Sequence, residues 1–496
     1  MNNVYIDIPV FTTLYDIELR NYTLSATQYK TFCINNTNLQ PVSSFLDRGL
    51  SRDDLGYEVG SENYVDTAPF VFIKTKALQE ESFLLDEGFD AVEKITPKSF
   101  VDMNLKKGDI LISKDSNVGE TVILDKDYPN GMLCGGIYRL PVSKNKYYLL
   151  AFMKSELFRQ QIDFIVPRGS TIRHGKTKFL ECLVPMPNYN SDKVIQYVEV
   201  LTRAIINKEI AIRKKYNQAL MLLRQELKDN QKERRFQFSQ PTIDEIFMTG
   251  RLDSGLYSKK FKEEMHLITN YKYGVSSIYE LGFEVSRGQN LQVSNIGRSI
   301  ETEEWHPGFY QVVKPTVVSK YGTISKKEYI GNPKKLKTLK SGDIIFGAEG
   351  TFRSFICLDK DANVITNIHG ITLNQKNSNV QKSIFVKIML DYFREYEICK
   401  ACATGGNGGS LAIKYWDILK FPNIPNPKEK EITELYYNSV SYQASKCTLD
   451  DFLKYDDSFN AVAGIYELDK AIKYLQCKLA KAFDSIANDN LTEISF

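Results

Sequence analysis

The residues whose types could do chemistry fall into four groups in this 496-residue chain, and no group has the spacing its chemistry needs. Gly169-Ser170-Thr171-Ile172-Arg173-His174-Gly175-Lys176-Thr177 has the glycines, lysine and hydroxyl of a phosphate-binding loop. Such a loop needs four residues between its glycines so that backbone N–H groups curl around a phosphate, and here there are five. Cys399-Lys400-Ala401-Cys402 is a lone pair of thiols; zinc takes four ligands, and no second pair or histidine cluster lies nearby, so two core-facing cysteines are expected. His174, His266, His306 and His369 are dispersed without metal spacing. Gly108-Asp109 and Gly342-Asp343 could supply carboxylates for catalysis, but a turn ahead of a strand explains a Gly-Asp pair more simply. There is no nucleophile elbow, no Asn-Pro-Pro-Tyr type methylase motif and no Gly-rich cofactor loop, so the chain is expected to be non-catalytic, with no metal site. What survives is a Gly-Ser/Thr loop carrying Arg173, His174, Lys176 and Lys178, whose cationic groups suit the phosphates and guanine edges of a nucleic acid.

The elements that would position such a loop occur twice. Leu105-Lys106-Lys107-Gly108-Asp109-Ile110-Leu111 returns as Leu339-Lys340-Ser341-Gly342-Asp343-Ile344-Ile345, 234 positions later. Leu124-Asp125-Lys126-Asp127 and Gly136-Ile137 keep that register against Leu358-Asp359-Lys360-Asp361 and Gly370-Ile371. Val42-Ser43-Ser44 answers Val275-Ser276-Ser277, and Pro187-Asn188 answers Pro425-Asn426, at nearly the same offset. A period this long is a duplicated domain rather than a solenoid, whose repeats run roughly 20 to 50 residues.

Composition bounds the class. Hydrophobic residues at 43% and charged residues at 25% are ordinary for a folded soluble chain of two to four domains. No apolar run approaches the roughly 20 residues that span a bilayer, and the first residues lack a basic leader. Eight scattered cysteines fit free thiols in a reducing compartment, so the cytoplasm is the expected location. The net charge of +3 announces no polyanion partner, but its distribution is uneven. From Arg203 to Arg235 ten Lys/Arg face four Asp/Glu, and from Lys314 to Lys340 eight Lys face only Glu328. Basic patches of this kind suit phosphate contact, and a solvated helix face gives the same count.

Residues 1–190 alternate short apolar runs (Phe70-Val71-Phe72-Ile73, Ile110-Leu111-Ile112) with turn residues, which reads as a mixed α/β domain. A helix is expected over Tyr147 to Phe164, followed by an extended exit at Leu183-Val184-Pro185-Met186-Pro187. Residues 191–235 form a spacer: Ser191 to about Lys228 holds no Gly or Pro, and Val198, Ile205 and Ile212 fall seven apart, the stripe of one long helix. The second copy, residues 241–426, repeats the order of signals, with a helix over Ser383 to Ile398 and the exit Phe421-Pro422-Asn423-Ile424-Pro425. Residues 428–490 form a second spacer, with a short helix (Glu429 to Val440), a polar insert and a final heptad helix. Its seam is Ile465, Leu468, Ile472, Leu475, Leu479 and Ile486. The fold expected is therefore mixed α/β (α+β): two tandem domains of similar fold, each followed by a long helix, the helices packing as an antiparallel coiled coil.

This order resembles the specificity (S) subunit of Type I restriction-modification systems over nearly the whole chain. The residues that carry the resemblance are Arg251-Leu252-Asp253-Ser254-Gly255-Leu256-Tyr257, its weaker echo Leu24-Ser25-Ala26 before Tyr29, the duplicated Leu-Lys-x-Gly-Asp-Ile, and Gly169-Ser170-Thr171 leading through Leu180 to the Pro-x-Pro exit. The family usually opens its helices with Glu-Gln after that exit. This chain has Asn188-Tyr189-Asn190-Ser191 and Pro427-Lys428-Glu429-Lys430 instead.

The resemblance implies two target-recognition domains, each reading one half of a bipartite site in double-stranded DNA, with the helices fixing the gap. It implies a subunit with no cofactor of its own. Two methylase (M) subunits would bind S-adenosylmethionine, and nuclease/translocase (R) subunits would use ATP and Mg, in a restriction system or a related phage-defence complex that methylates DNA. The contact residues expected are those in loops that differ between copies. In the first copy these are Lys114, Asn117, Arg168, Ser170, Thr171, Arg173, His174 and Lys176; in the second, Lys320, Tyr321, Arg353, Asn407, Ser410 and Lys414. The competing expectation is a protein–protein scaffold with two duplicated domains on a coiled-coil rod and no DNA binding.

Overall fold

The computed structural model describes residues 5–20, 22–24, 29–88, 91–166, 174–233, 235–359, 363–405 and 409–496. The chain divides into two compact units, one of residues 1–211, 441–461 and 468–496, the other of residues 212–440 and 462–467. Both mix helices with small sheets. Among the described residues no helix is long and apolar enough to cross a membrane.

In the first unit, Ile6–Asp7 pairs antiparallel with Thr31–Phe32, and between them lies α1 (Leu14–Leu19), where the Thr13 hydroxyl accepts from the Asp16 N–H at 3.1 Å and the Asp16 carboxylate accepts from the Thr13 N–H at 3.0 Å, a capping box. After β1 (Leu39–Pro41) come β2 (Phe70–Ile73), β3 (Val92–Ile95), β4 (Ile110–Ser113), β5 (Thr121–Ile123), β6 (Gly131–Leu133) and β7 (Ile137–Leu140). β2 pairs antiparallel with β3 and parallel with β6, while β4 pairs antiparallel with both β5 and β7. Because β4 to β6 are buried on both faces, they read as continuous apolar runs, and their core includes Phe72, Leu111, Val122 and Met132. The single helix expected over Tyr147 to Phe164 is two, α2 (Lys146–Met153) and α3 (Glu156–Ile165). Ser155 breaks it: its backbone is extended and its hydroxyl accepts from the Phe158 N–H at 3.3 Å, starting a fresh helix. The exit is β8 (Leu183–Pro185), paired with β1 in a ladder that has two strands among the described residues, where proline is tolerated. Next comes α4 (Ser191–Asp229), 39 residues long, on which Val198, Leu201, Ile205, Ile212, Ala219 and Leu223 are buried.

The second unit repeats the plan with additions. α5 (Ile243–Thr249) carries its own capping box, Thr242 with Glu245. The strands are β9 (Val275–Ser276), β10 (Phe283–Arg287), β11 (Ile300–Thr302), β12 (Tyr310–Val312), β13 (Glu328–Gly331), β14 (Ile344–Gly347), β15 (Ser354–Ile356), β16 (Val364–Ile365) and β17 (Gly370–Gln375). β14 pairs antiparallel with β15 and β17, as β4 does with β5 and β7; β12 pairs parallel with β16, as β2 does with β6. β10 and β11 widen the two sheets to four strands each. α6 (Val380–Glu395) and α7 (Ile398–Cys402) stand where one helix over Ser383 to Ile398 is expected, because Glu397 turns left-handed at φ +60° between them. The exit β18 (Phe421–Pro422) pairs with β9. α8 (Asn426–Glu434) starts and stops earlier than the expected Glu429 to Val440. The expected polar insert contains α9 (Phe452–Val462), which belongs to the first unit up to residue 461 and buries Phe452 and Phe459; the heptad helix is α10 (Ile465–Ala487), part of the first unit from residue 468 on, with its whole seam buried.

Three local devices recur at matching positions. Gly108 and Gly342 hold φ of +88° and +93°, and in both turns the following aspartate accepts from the backbone N–H three residues back, Lys106 or Lys340, at 2.8 Å. Asp109 and Asp343 thus close turns. At Gly56 and Gly288 the backbone passes so close to a neighbouring segment that an added Cβ would sit 2.1 Å from the carbonyl oxygen of Cys134 or Asn367. Tyr29 donates its hydroxyl to the Thr23 carbonyl, and Tyr257 does the same to Arg251 at 2.7 Å. In the second unit Arg251 also grips Asp253 (2.6 and 2.7 Å) and the Cys402 carbonyl (2.6 Å), so the Arg-Leu-Asp-x-x-x-Tyr stretch works as a structural clip. Cys399 and Cys402 are buried, and burial pushes the Cys402 thiol up to about 12.

Each unit also buries an ion pair. In the first, Lys208 of α4 bonds Asp456 and, at 2.8 Å, the Asn460 amide oxygen, with the Tyr442 ring 4.6 Å away. In the second, Lys387 meets Asp391 at 2.6 Å and the Tyr321 carbonyl at 2.9 Å.

Candidate nucleic-acid interface

The tip that follows β4 is shaped by short-range hydrogen bonds. Ser113 donates to the Asp115 carbonyl at 2.7 Å and to the Asn117 amide oxygen at 3.0 Å, while Ser116 and Gly119 take left-handed φ values of +65° and +91°. The Asn117 amide N–H groups are committed to the Thr75 and Leu78 carbonyls at 3.0 and 2.8 Å. Asn117 therefore anchors the tip to the segment after β2. Gly175 donates its N–H to the Lys114 carbonyl at 2.7 Å, and Asp115 and His174 face each other across an antiparallel bridge. This draws the far loop onto the tip. Asp115 there accepts from Lys114 at 2.5 Å and meets His174 Nδ1 at 2.7 Å; the histidine is 61% exposed, so the pair faces solvent. Lys176 follows at φ +46°, also exposed.

The second unit makes the same closure. Leu411 donates its N–H to the Ala348 carbonyl at 2.8 Å, and Glu349 bridges to Ser410. Glu349 stands where the first unit has Asp115, and it too meets an imidazole: His369 Nδ1 lies 3.3 Å away, with Arg287 at 4.0 Å. His369 comes from just before β17, a position held by Gly135 in the first copy, whereas His174 comes from the far loop.

The expected residues thus separate. Lys114, His174 and Lys176 gather at the first tip, and Ser410 joins the second. Lys320, Tyr321 and Arg353 form a different cluster against α6: Arg353 donates to the Val318 carbonyl at 2.8 Å, Arg394 donates to the Lys320 carbonyl at 2.8 Å, and the Tyr321 ring meets Tyr216 edge-on. Lys414 is exposed, with its ammonium 4.8 Å from the Tyr415 ring. Arg168, Ser170, Thr171, Arg173 and Asn407 lie outside the described residues. Asp115, Glu349 and His369 were not among the expected contact residues, His369 being read only as one of four dispersed histidines. The two carboxylates, one repeat apart at the same register, were the signal.

The basic stretches are partly neutralised. Lys314 pairs with Glu328 and Lys326 with Glu303, each at 2.5 Å, and Arg224 grips Glu264 through both nitrogens. Arg224 and Lys228 line a cavity of about 470 Å³ with Tyr216, Leu220, Glu395 and Tyr396. Among the described residues no cluster of His, Cys, Asp and Glu could hold a metal ion.

No family model matches the chain, and no curated protein matches it in sequence. Solved structures do match in outline. The S subunit of a Type I restriction-modification system from M. genitalium aligns at 14% identity and a TM-score of 0.35, covering 91% of this chain and 96% of that one. The HsdS subunit from Thermoanaerobacter tengcongensis aligns at 11% identity and 0.26, covering 88% and 96%. A chain from a structure of type I R-M complex assembly aligns at 11% identity and 0.28, covering 93% and 100%. Over nearly its full length, then, this two-unit α/β chain is similar to Type I restriction-modification S subunits.

Proposed function

We propose that this chain is the non-catalytic, sequence-reading subunit of a Type I restriction-modification complex. The observation that carries the proposal is the tip-to-loop closure built twice: one backbone frame, two sets of side chains. A reader of two different half-sites needs that combination, a constant scaffold with variable ends. Imidazole, ammonium and hydroxyl groups at the tips suit base edges and phosphates, and the carboxylates of Asp115 and Glu349 suit cytosine amino groups in the major groove. The long helices set the gap between half-sites as an antiparallel coiled coil. A 39-residue helix is about 58 Å long at 1.5 Å per residue, which caps the separation near 17 base pairs. Methylase subunits supply S-adenosylmethionine chemistry and base flipping, and nuclease subunits supply ATP-driven translocation.

The test is selection from random duplexes, at stated salt, by the chain assembled with its methylase. Two short words at a fixed spacing are expected, and exchanging one unit's tip and loop changes one word. An assembly with no sequence preference would mean a protein–protein scaffold instead.

A further inference from the structure

Lys208 stands on α4 at a position that its neighbours give to apolar side chains. Leu201 lies seven residues before it, Ile205 three before and Ile212 four after, all buried. A lysine on such a seam must either pair its charge or give it up. Its partners come from the segment after the second copy, and all of them belong to the first unit. Lys208 and Asp456 are fully buried and Asn460 is 8% exposed, so the group is shut off from water. Asp456 and Asn460 lie one turn apart on α9, on a shared face. Lys208 Nζ donates to Asp456 Oδ1 and, at 2.8 Å, to Asn460 Oδ1. Asn460 Nδ2 in turn donates to Asp456 Oδ2 at 3.1 Å, and the Tyr442 hydroxyl donates to Asp456 Oδ1 at 2.8 Å. Asp456 therefore touches the amine with one oxygen and the amide nitrogen with the other. The rings of Tyr442 and Phe459 flank Nζ at 4.6 and 5.1 Å.

An ion pair alone does not need this set. The second unit makes one from Lys387 and Asp391, and there the lysine's other hydrogen bond goes to the backbone carbonyl of Tyr321 at 2.9 Å. At Lys208 the other acceptor is a side-chain amide, whose carbon lies about 1.2 Å beyond the oxygen that the amine already touches. Burial also pulls the lysine below its usual 10.5, against the opposing pull of Asp456, which favours the neutral, nucleophilic amine. We propose that Lys208 and Asn460 join in an intramolecular amide (isopeptide) bond, with Asp456 as the proton carrier. Lys208 hands a proton to Asp456, and the electron pair freed on Nζ attacks Asn460 Cγ. Asp456 protonates Nδ2, the Cγ–Nδ2 bond breaks with its electron pair going to nitrogen, and ammonia leaves. The new amide sheds its extra proton to Asp456, which holds it until the departing ammonia takes it away as ammonium. Nothing is oxidised or reduced, and no co-reactant enters: an amine and a carboxamide become a secondary amide and ammonia. The reaction runs once, on the chain itself, and closes residues 208 to 460 into a covalent ring. It is independent of any chemistry on DNA.

The test is denaturing mass spectrometry of the full chain, purified folded and incubated, together with a protease peptide map. The unsubstituted chain should weigh about 17 Da less than its sequence, the mass of one ammonia lost to the nucleophile. Its map should hold one pair of peptides joined through Lys208 and Asn460. Lys208→Arg and Asn460→Ala should each regain the sequence mass and lose the joined pair, and so should Asp456→Ala. The unsubstituted chain decides by itself, whatever the variants do to folding. Its full sequence mass after prolonged incubation would overturn the proposal. So would loss of water instead of ammonia with Lys208 joined to Asp456. A deficit of one ammonia that persists in Lys208→Arg would also overturn it, since that is an asparagine closing on its own backbone. A joined pair that forms in Asp456→Ala as fast as in the unsubstituted chain would remove Asp456 from the reaction.

Discussion

The tips of the two units meet the same requirement with different parts. In the first, Asp115 meets an imidazole delivered by the far loop; in the second, Glu349 meets one delivered from the start of β17. The carboxylate holds its register through the repeat and the histidine does not. The difference teaches where the molecule is free to vary: the frame fixes positions, and the side chains that fill the tip can come from more than one element.

The largest test of that separation lies in the buried ion pairs. Asp456→Ala strands the Lys208 ammonium in the first unit, and loss of one partner from a buried pair costs about 3–5 kcal/mol. Both tryptophans, Trp305 and Trp416, lie in the second unit. Urea denaturation should therefore shift sharply by far-ultraviolet circular dichroism and much less by tryptophan fluorescence. Equal shifts in both signals would mean that the units unfold as one.

Gly56→Ala and Gly288→Ala should each destabilise their own unit by about 1–3 kcal/mol or more, because the new methyl must displace a backbone carbonyl. Matching losses in the two units, read as denaturation midpoints, would confirm that these glycines do one job twice.

Asn117→Ala and His174→Ala sharpen the comparison inside one tip. Asn117 donates to two backbone carbonyls, so its loss should cost about 1–3 kcal/mol of stability. His174 faces solvent, so its loss should leave the melting temperature unchanged and weaken one half-site by about 1–3 kcal/mol in binding titrations. Equal weakening at both half-sites would count against the tip as a reader.

The smallest expected effect depends on pH. Hydrogen bonds from Arg48 hold the Asp54 carboxyl down at about 2 from its usual 3.8, against the opposing pull of burial. A depressed carboxylate stabilises the fold above its unfolded pKa, and that contribution drains away as pH falls from about 4 towards 2. Ser286 holds the matching position in the second unit, bonded to Thr372 at 2.7 Å, and has no charge to lose. Acid titration should loosen the first unit through this group, and Asp54→Asn should flatten the response.

Much of the frame could be read from residues alone. The repeated Leu-Lys-x-Gly-Asp-Ile marks a turn entering a buried strand in both units, the stripe Val198, Ile205, Ile212 marks a long helix, and the run from Ser191 to about Lys228 without Gly or Pro gives its extent. These signals are local, so they survive without partners. The break at Ser155 was hidden because a serine inside an apolar period looks like an ordinary polar position until its hydroxyl is seen capping Phe158. α9 was hidden because the cation that its buried polar residues Asp456 and Asn460 bind, Lys208, is about 250 positions away in sequence. The anchoring role of Asn117 was hidden for the same reason: the carbonyls it serves belong to residues 75 and 78.

The closure of each tip has one further consequence. Gly175 reaches the Lys114 carbonyl and Leu411 reaches the Ala348 carbonyl through main-chain atoms alone. A bond between two backbones is indifferent to the residues that display it, so mutation can rewrite the side chains at either end without dismantling the joint. Inherited through a duplication, such a joint lets a lineage exchange one of its specificities while the other stays intact.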